Sequence, residues 1–128
     1  MLSDENLERY ARQAIMPDIG EEGQERLLES RMLVVGAGGL GSPAIFYLAA
    51  AGVGNLTIID GECVDLTNLN RQILHTTASI GSPKVTQAAA TVAALNPGVN
   101  VTPLAERLEG DNVEALLAAH DVVCLLYT

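Results

Sequence analysis

The chain has 128 residues, 48% of them hydrophobic, and carries 16 Asp and Glu against 7 Lys and Arg for a net charge of −9. That length supports one domain, and the apolar share is enough for a packed core, which excludes a disordered chain. The acidic balance excludes nonspecific nucleic-acid binding and adhesion to an anionic membrane, both of which need clustered bases.

Residues 4–16 place Leu7, Tyr10, Ala11, Ala14 and Ile15 at a helical period, with Asp4 as N-cap and Pro17 and Gly20 as the stop. Glu21–Leu28 reads as a second short helix that carries Leu27 and Leu28 toward a core. Arg31–Val35 is the first strand. It runs into Gly36-x-Gly38-x-x-Gly41 and then an apolar helix, Gly41–Ala51, with Pro43 in its first turn and Gly52 and Gly54 at its end. Strand, tight turn and helix with that glycine spacing form the dinucleotide-type fingerprint. Gly36 lets the chain turn off the strand, Gly38 lets backbone N–H groups approach a phosphate, and Gly41 lets helix and strand pack closely. The phosphates then sit at a helix N-terminus. Asn55–Ile59 is the second strand and ends at Asp60, an acid placed to accept hydrogen bonds from ribose hydroxyls.

Gly61–Ile80 has no clean period and is long for a loop, which marks it as a functional segment. Ser82 and Pro83 read as N-cap and N1 of a helix to Leu95, stopped by Asn96-Pro97-Gly98. Val99–Thr102 alternates as a third strand, Asp111 caps a short helix through Ala119, and Asp121–Leu126 is a fourth strand. His75 reads as a surface or packing residue and His120 as a helix-end residue, and Phe46, Tyr10 and Tyr47 as core or interface packing. Cys63 and Cys124 are lone thiols with no zinc or disulfide spacing. No apolar run reaches a membrane span and Met1–Asn6 is not a secretory leader, so a cytoplasmic protein is expected.

Strands alternating with helices imply a parallel α/β sheet with right-handed crossovers. The expected fold is a Rossmann-like doubly wound sheet, first half, in strand order 3-2-1-4. We read 1–128 as one truncated nucleotide-binding domain, with an N-terminal helical segment at 1–30 and the Rossmann-like half at 31–128.

Three more stretches narrow the function: Arg9-Tyr10-Ala11-Arg12-Gln13, Thr67-Asn68-Leu69-Asn70-Arg71-Gln72 and Gly81-Ser82-Pro83-Lys84-Val85. With Gly36-Ala37-Gly38-Gly39-Leu40-Gly41-Ser42 and Asp60, this set resembles the ThiF/MoeB/HesA adenylyltransferases, relatives of the ubiquitin-activating enzymes. The resemblance implies binding of ATP and Mg²⁺ and adenylation of the C-terminal Gly-Gly carboxylate of a ubiquitin-like sulfur-carrier protein, in molybdopterin or thiamine biosynthesis. It implies that Gly39 lies at the phosphates and Asp60 at the ribose. Thr67, Asn68, Leu69, Asn70, Arg71 and Gln72 would wrap the nucleotide, and Lys84 would reach the phosphates. Arg12 would reach the triphosphate of a neighbouring subunit in a homodimer. Nucleotidyl transfer builds negative charge on the attacked phosphate and the leaving pyrophosphate, so Arg12, Arg71 and Lys84 are the candidate catalytic residues.

The chain departs from the family after its fourth strand: members usually continue with Asp-Cys-Thr-Asp-Asn or similar, whereas this chain reads Cys124-Leu125-Leu126-Tyr127-Thr128 and carries no Asp there. Thr128 stands where the Mg²⁺-holding Asp belongs, and a hydroxyl cannot supply that carboxylate charge. Weak or absent turnover by this chain alone follows, with no metal ligand assigned and no zinc expected. Two other readings stand beside the enzyme. One is a catalytically inactive ATP/AMP-binding or dimerisation module. The other is an NAD-binding Rossmann half, which rests on the glycines and Asp60 alone.

Overall fold

The computed structural model describes residues 1–127. Four parallel strands, β1 (Arg31–Val35), β2 (Asn55–Ile59), β3 (Asn100–Leu104) and β4 (Val122–Leu125), form one sheet in the expected order β3-β2-β1-β4. Helices α1 (Asp4–Arg9), α2 (Ala11–Ala14) and α3 (Gly20–Glu29) precede it. The crossovers are α4 (Gly41–Ala51), α5 (Lys84–Leu95) and α6 (Val113–Ala118).

Side chains alternate across a strand, so each central strand serves two faces. Val34, Leu56 and Ile58 pack with Ile45 and Ala49 of α4 and Val85, Ala88 and Val92 of α5 in the main core. Leu33, Val35 and Ile59 point the other way, to a smaller cluster with Leu104, Leu108, Leu116 and Val123. Each fully buried aliphatic side chain contributes about 1.5–3 kcal/mol relative to exposure, so the α4/α5 face holds most of the stability.

The N-terminal helices close the far end of α4. The last carbonyls of a helix lack internal N–H donors and need outside ones. Ala51 O accepts from Gln13 Nε2 at 2.9 Å and Gln24 Nε2 at 3.0 Å, and Ala49 O accepts from Asn96 Nδ2 at 2.9 Å. Gln24 and Asn96 are buried, and Asn96 also donates to the Tyr10 hydroxyl at 2.7 Å.

Several boundaries differ from the sequence reading. Ser3, not Asp4, caps α1, because its Oγ accepts the Asn6 N–H at 3.1 Å. The expected 4–16 helix breaks at Tyr10, whose backbone leaves the helical region as its side chain turns into the core. Pro83 replaces Ser82 as the residue before α5: the Lys84 N–H goes to Glu62 O at 3.0 Å, so no side-chain cap is used there. Asn112 stands before α6 in place of Asp111, and α6 ends at Ala118. β4 stops short of Asp121, whose carboxylate takes the Arg31 N–H at 2.9 Å and its guanidinium at 3.2 Å. Tyr47 is exposed on α4 and so is no part of the core, while Phe46 packs partly buried against it. His120 does close a helix end: Nδ1 donates to Leu116 O at 2.6 Å, and Nε2 accepts from Thr57 Oγ1 at 2.7 Å.

β3 runs past the expected Thr102 through Pro103 to Leu104. Asn100 N donates to Gly54 O and Leu104 O accepts from Asp60 N, so the even-numbered residues of β3 face β2. Pro103 therefore turns its nitrogen outward, where a missing N–H breaks no bond of the ladder.

Candidate functional site

The glycine turn Gly36–Gly41 lies at the C-terminal end of β1, between its neighbours β2 and β4. Gly36 has φ +107°, which L side chains rarely adopt, and it turns the chain as its spacing predicted. A Cβ at Gly41 would lie 2.0 Å from Gly36 O, so α4 meets the strand backbone with no room for a side chain. The N–H groups of Gly38, Gly39 and Leu40 have no hydrogen-bond partner among the described residues. Successive free N–H groups at a helix N-terminus form an anion-binding concavity.

The turn is held from two sides. Asp60 Oδ2 accepts the Ala37 N–H at 2.9 Å, and its Oδ1 accepts the Glu62 N–H at 2.8 Å. His75, buried, holds the Ala37 carbonyl through Nε2 at 2.7 Å. A carbonyl only accepts, so Nε2 carries the proton and Nδ1 does not. Gln72, also buried, lies over Gly38, its Nε2 3.4 Å from where a Cβ would stand. Among the described residues the buried side-chain atoms without partners are Ser42 Oγ, Gln72 Oε1 and His75 Nδ1. All three belong to the glycine turn's helix or to the segment packed over the turn. Buried polar atoms normally find partners, so their gathering here marks a place that takes something more.

Arg71 and Lys84 line one cavity of about 350 Å³ with Gly36, Gly38, Gly39 and Gln72. The Arg71 stem lies over Gly39, within 3.8 Å of where a Cβ would stand, and its Nη1 donates to Thr67 O and Asn70 Oδ1 at 3.0 Å each. Lys84 is buried at the start of α5, with Nζ 3.3 Å from Glu62 Oε1. The free end of a helix dipole disfavours a cation there, so this charge is set against its own helix. Thr67, Asn68, Leu69 and Asn70 do not line the cavity. Asp65 and Asn68 close a short turn reciprocally, Thr67 N–H donates to Asp65, and the turn fixes the base of Arg71. The Thr67 hydrogen bonds hold the Asp65 carboxyl below its ordinary range.

Arg12 is not brought to this cavity. Its neighbour Gln13 is anchored on Ala51 at the C-terminal end of α4. An 11-residue helix spans about 16 Å at 1.5 Å per residue, so Arg12 leaves the chain a full helix length from the glycine turn.

A second cavity of about 540 Å³ shares Gly36, Asp60, Glu62 and Tyr127 with the first and runs under the sheet edge on the α6 side. Its apolar wall is Val35, Ile59, Leu108 and Leu125, and Arg107 stands at its side. The sequence reading missed Glu62, Arg107 and these wall residues. Their signal was positional: each follows or ends a strand at its carboxyl end, where open α/β sheets bind ligands. Leu125 and Tyr127 both line the cavity. Thr128 lies outside the described residues. Asp60 is engaged by backbone N–H groups and Glu62 by Lys84, and no group of three or more His, Cys, Asp or Glu among the described residues could hold a metal ion. No described helix is long and apolar enough to cross a membrane.

Burial lowers the pKa of His75 below the ordinary 6.5, and Lys84 lowers it further, against the Ala37 carbonyl and Asp60, which raise it. The unfolded chain therefore takes up this proton first as pH falls. Stability should be level above about pH 7 and decline below the unfolded imidazole value, toward the lowered folded one. Urea unfolding between about pH 7.5 and 5.5 should show this slope, and His75→Gln, which keeps an N–H for Ala37, should flatten it. An unchanged slope in the variant would assign the pH dependence to another group.

Comparison with known proteins bears on this arrangement. The chain is 52% identical over 117 residues to the SAMP-activating enzyme E1 of Haloferax volcanii, covering 91% of this chain and 43% of that protein. It is 48% identical over 122 residues to the molybdopterin-synthase adenylyltransferase of Escherichia coli K12, covering 95% of this chain and 49% of that protein. Among solved structures, E. coli tRNA N6-threonylcarbamoyladenosine dehydratase, TcdA, in complex with ATP matches with a TM-score of 0.91 at 30% identity, covering 99% of this chain and 52% of that one. The chain thus spans about half the length of the curated relatives it matches. The ThiF family model matches residues 10–127, from the helix break at Tyr10 through the glycine turn to the end of the described residues, and the chain belongs to the ThiF family.

Proposed function

We propose that this chain forms the ATP-binding part of an adenylyltransferase that activates the C-terminal carboxylate of a ubiquitin-like sulfur-carrier protein. One observation carries the reading: Arg71 and Lys84, from separate segments, share a cavity with the unpaired N–H groups of the glycine turn. Names of relatives support the substrate class, since they include molybdopterin-synthase adenylyltransferase and sulfur carrier protein ThiS adenylyltransferase. A neighbour of the same fold in complex with ATP supports the nucleotide.

In this reading the N–H groups of Gly38, Gly39 and Leu40 bind phosphate oxygens, and Asp60 receives the ribose hydroxyls. A carrier carboxylate oxygen attacks the α-phosphorus, forming an acyl–phosphate bond as the bond to pyrophosphate breaks. Lys84 and Arg71 stabilise the charge that builds on the phosphates, Lys84 as a point charge and Arg71 as a planar fork. Mg²⁺ bound to the triphosphate would neutralise part of its charge, and no residue of this chain is assigned to hold it. Arg12 acts on the nucleotide of a second copy in a homodimer, which is supported by its placement at the far end of α4 from its own turn. Ile15 and Met16, directly after α2, are exposed apolar residues that such a contact would cover.

Titration calorimetry with ATP and with NAD tests the nucleotide. ATP should bind, Arg71→Ala and Asp60→Ala should each weaken it by roughly tenfold, and NAD should not compete. Tight NAD binding without ATP binding would instead assign an NAD-type half-domain. Carrier-dependent exchange of labelled pyrophosphate into ATP tests the chemistry; ATP binding without exchange in a longer form of the protein would leave a binding module.

A further inference from the structure

The cavity on the α6 side contains one cation, Arg107, whose side chain makes no ion pair or hydrogen bond among the described residues. Three carboxylates line the same cavity, and each is already engaged. Asp60 takes two backbone N–H groups, Glu62 faces Lys84, and Glu106 accepts Asn112 Nδ2 at 2.9 Å. The same Asn112 amide donates to Arg107 O at 2.8 Å and its Oδ1 accepts the Glu109 N–H at 2.8 Å, so one side chain fixes the loop that presents Arg107. The Arg107 stem then crosses Gly61 so closely that a Cβ there would lie 3.0 Å from its Cγ and 3.7 Å from its Nε. In a chain of net charge −9, an unpaired guanidinium held in place beside three carboxylates that each already have a partner is available to a ligand.

Its position selects the part of the ligand. Arg107 does not line the phosphate cavity that holds Arg71 and Lys84; it stands beside the apolar wall of Ile59, Leu108 and Leu125. A guanidinium is planar, weakly hydrated and stacks on aromatic rings. We infer that Arg107 is a specificity-determining residue that stacks its guanidinium on the purine base of the bound nucleotide, pressing the base against that apolar wall. This rests on the nucleotide reading above. It makes Gly61 a required residue, since a methyl group there displaces the arginine stem.

The test compares ATP with inorganic tripolyphosphate, which has no base, on the 128-residue chain by calorimetry. Arg107→Ala should weaken ATP by about tenfold, the size of a desolvated cation–π contact, and leave tripolyphosphate unchanged. Gly61→Ala should reproduce the loss. Arg107→Tyr, which restores a planar group, should recover ATP binding, and Arg107→Lys, which restores only charge, should not. Unchanged ATP affinity in Arg107→Ala, equal weakening of both probes, or full recovery in Arg107→Lys each overturns the stacking role while the nucleotide site stands. A wild-type chain that binds tripolyphosphate but no ATP overturns both readings.

Discussion

Lys84→Ala should weaken ATP binding by about a hundredfold, the size of a lost charge-assisted contact to phosphate, without destabilising the fold. The two halves of this result come from one geometry. Lys84 is 3% exposed, and its ion-pair partner Glu62 is mostly solvent-facing. Removing the ammonium therefore strands no buried carboxylate, and it relieves the cost of holding a desolvated cation at the start of α5. Urea midpoints should be equal to wild type or higher while calorimetry shows the loss for ATP. A drop in stability with ATP affinity within threefold of wild type would make Lys84 a structural residue. Lys84→Arg should recover part of the binding only, because Lys84 is buried and a planar guanidinium is wider than the ammonium it replaces.

Gly41→Ala should cost about 3 kcal/mol or more, at the upper end for a single methyl group. The added Cβ would lie 2.0 Å from the carbonyl oxygen and 2.8 Å from the carbonyl carbon of Gly36. Both contacts are backbone, so no side chain can rotate away, and the start of α4 must lift off β1. That movement dismantles the free N–H groups of the turn, so ATP binding should be lost with the stability. Gly54→Ala provides the control. Its Cβ would meet Leu28 O at 1.7 Å, beyond the opposite end of α4 from the nucleotide turn. It should cost similar stability in urea, yet the molecules that remain folded should bind ATP as wild type does. Equal loss of binding in both variants would show that the turn is not a local binding element.

The sequence revealed most where a local rule and the tertiary structure agree. β1, α4 and β2 have the boundaries expected from their apolar runs and glycines, and the sheet order follows from alternating elements and right-handed crossovers. Its reading failed where distant groups decide a local outcome. Glu62 O, not a side chain, takes the first N–H of α5; Tyr10 breaks a helical period in order to reach Asn96; and Pro103 extends a strand because its nitrogen faces away from β2. In the site, the motif residues Arg71 and Lys84 were legible and meet as expected. His75 was legible only as a surface or packing residue, since its hold on Ala37 spans 38 residues. Arg107 has no motif of its own, and its place follows only from the way Asn112 shapes the loop after β3.

Pro103 also gives the sheet a direction. On the β3 margin, Val101 is the sole residue of that strand left with an outward amide hydrogen, too sparse a row to template a neighbour. The β4 margin contains no proline. A further strand, from this polypeptide or another, is thereby favoured on the β4 flank, and a single pyrrolidine ring weakens pairing on the opposite one.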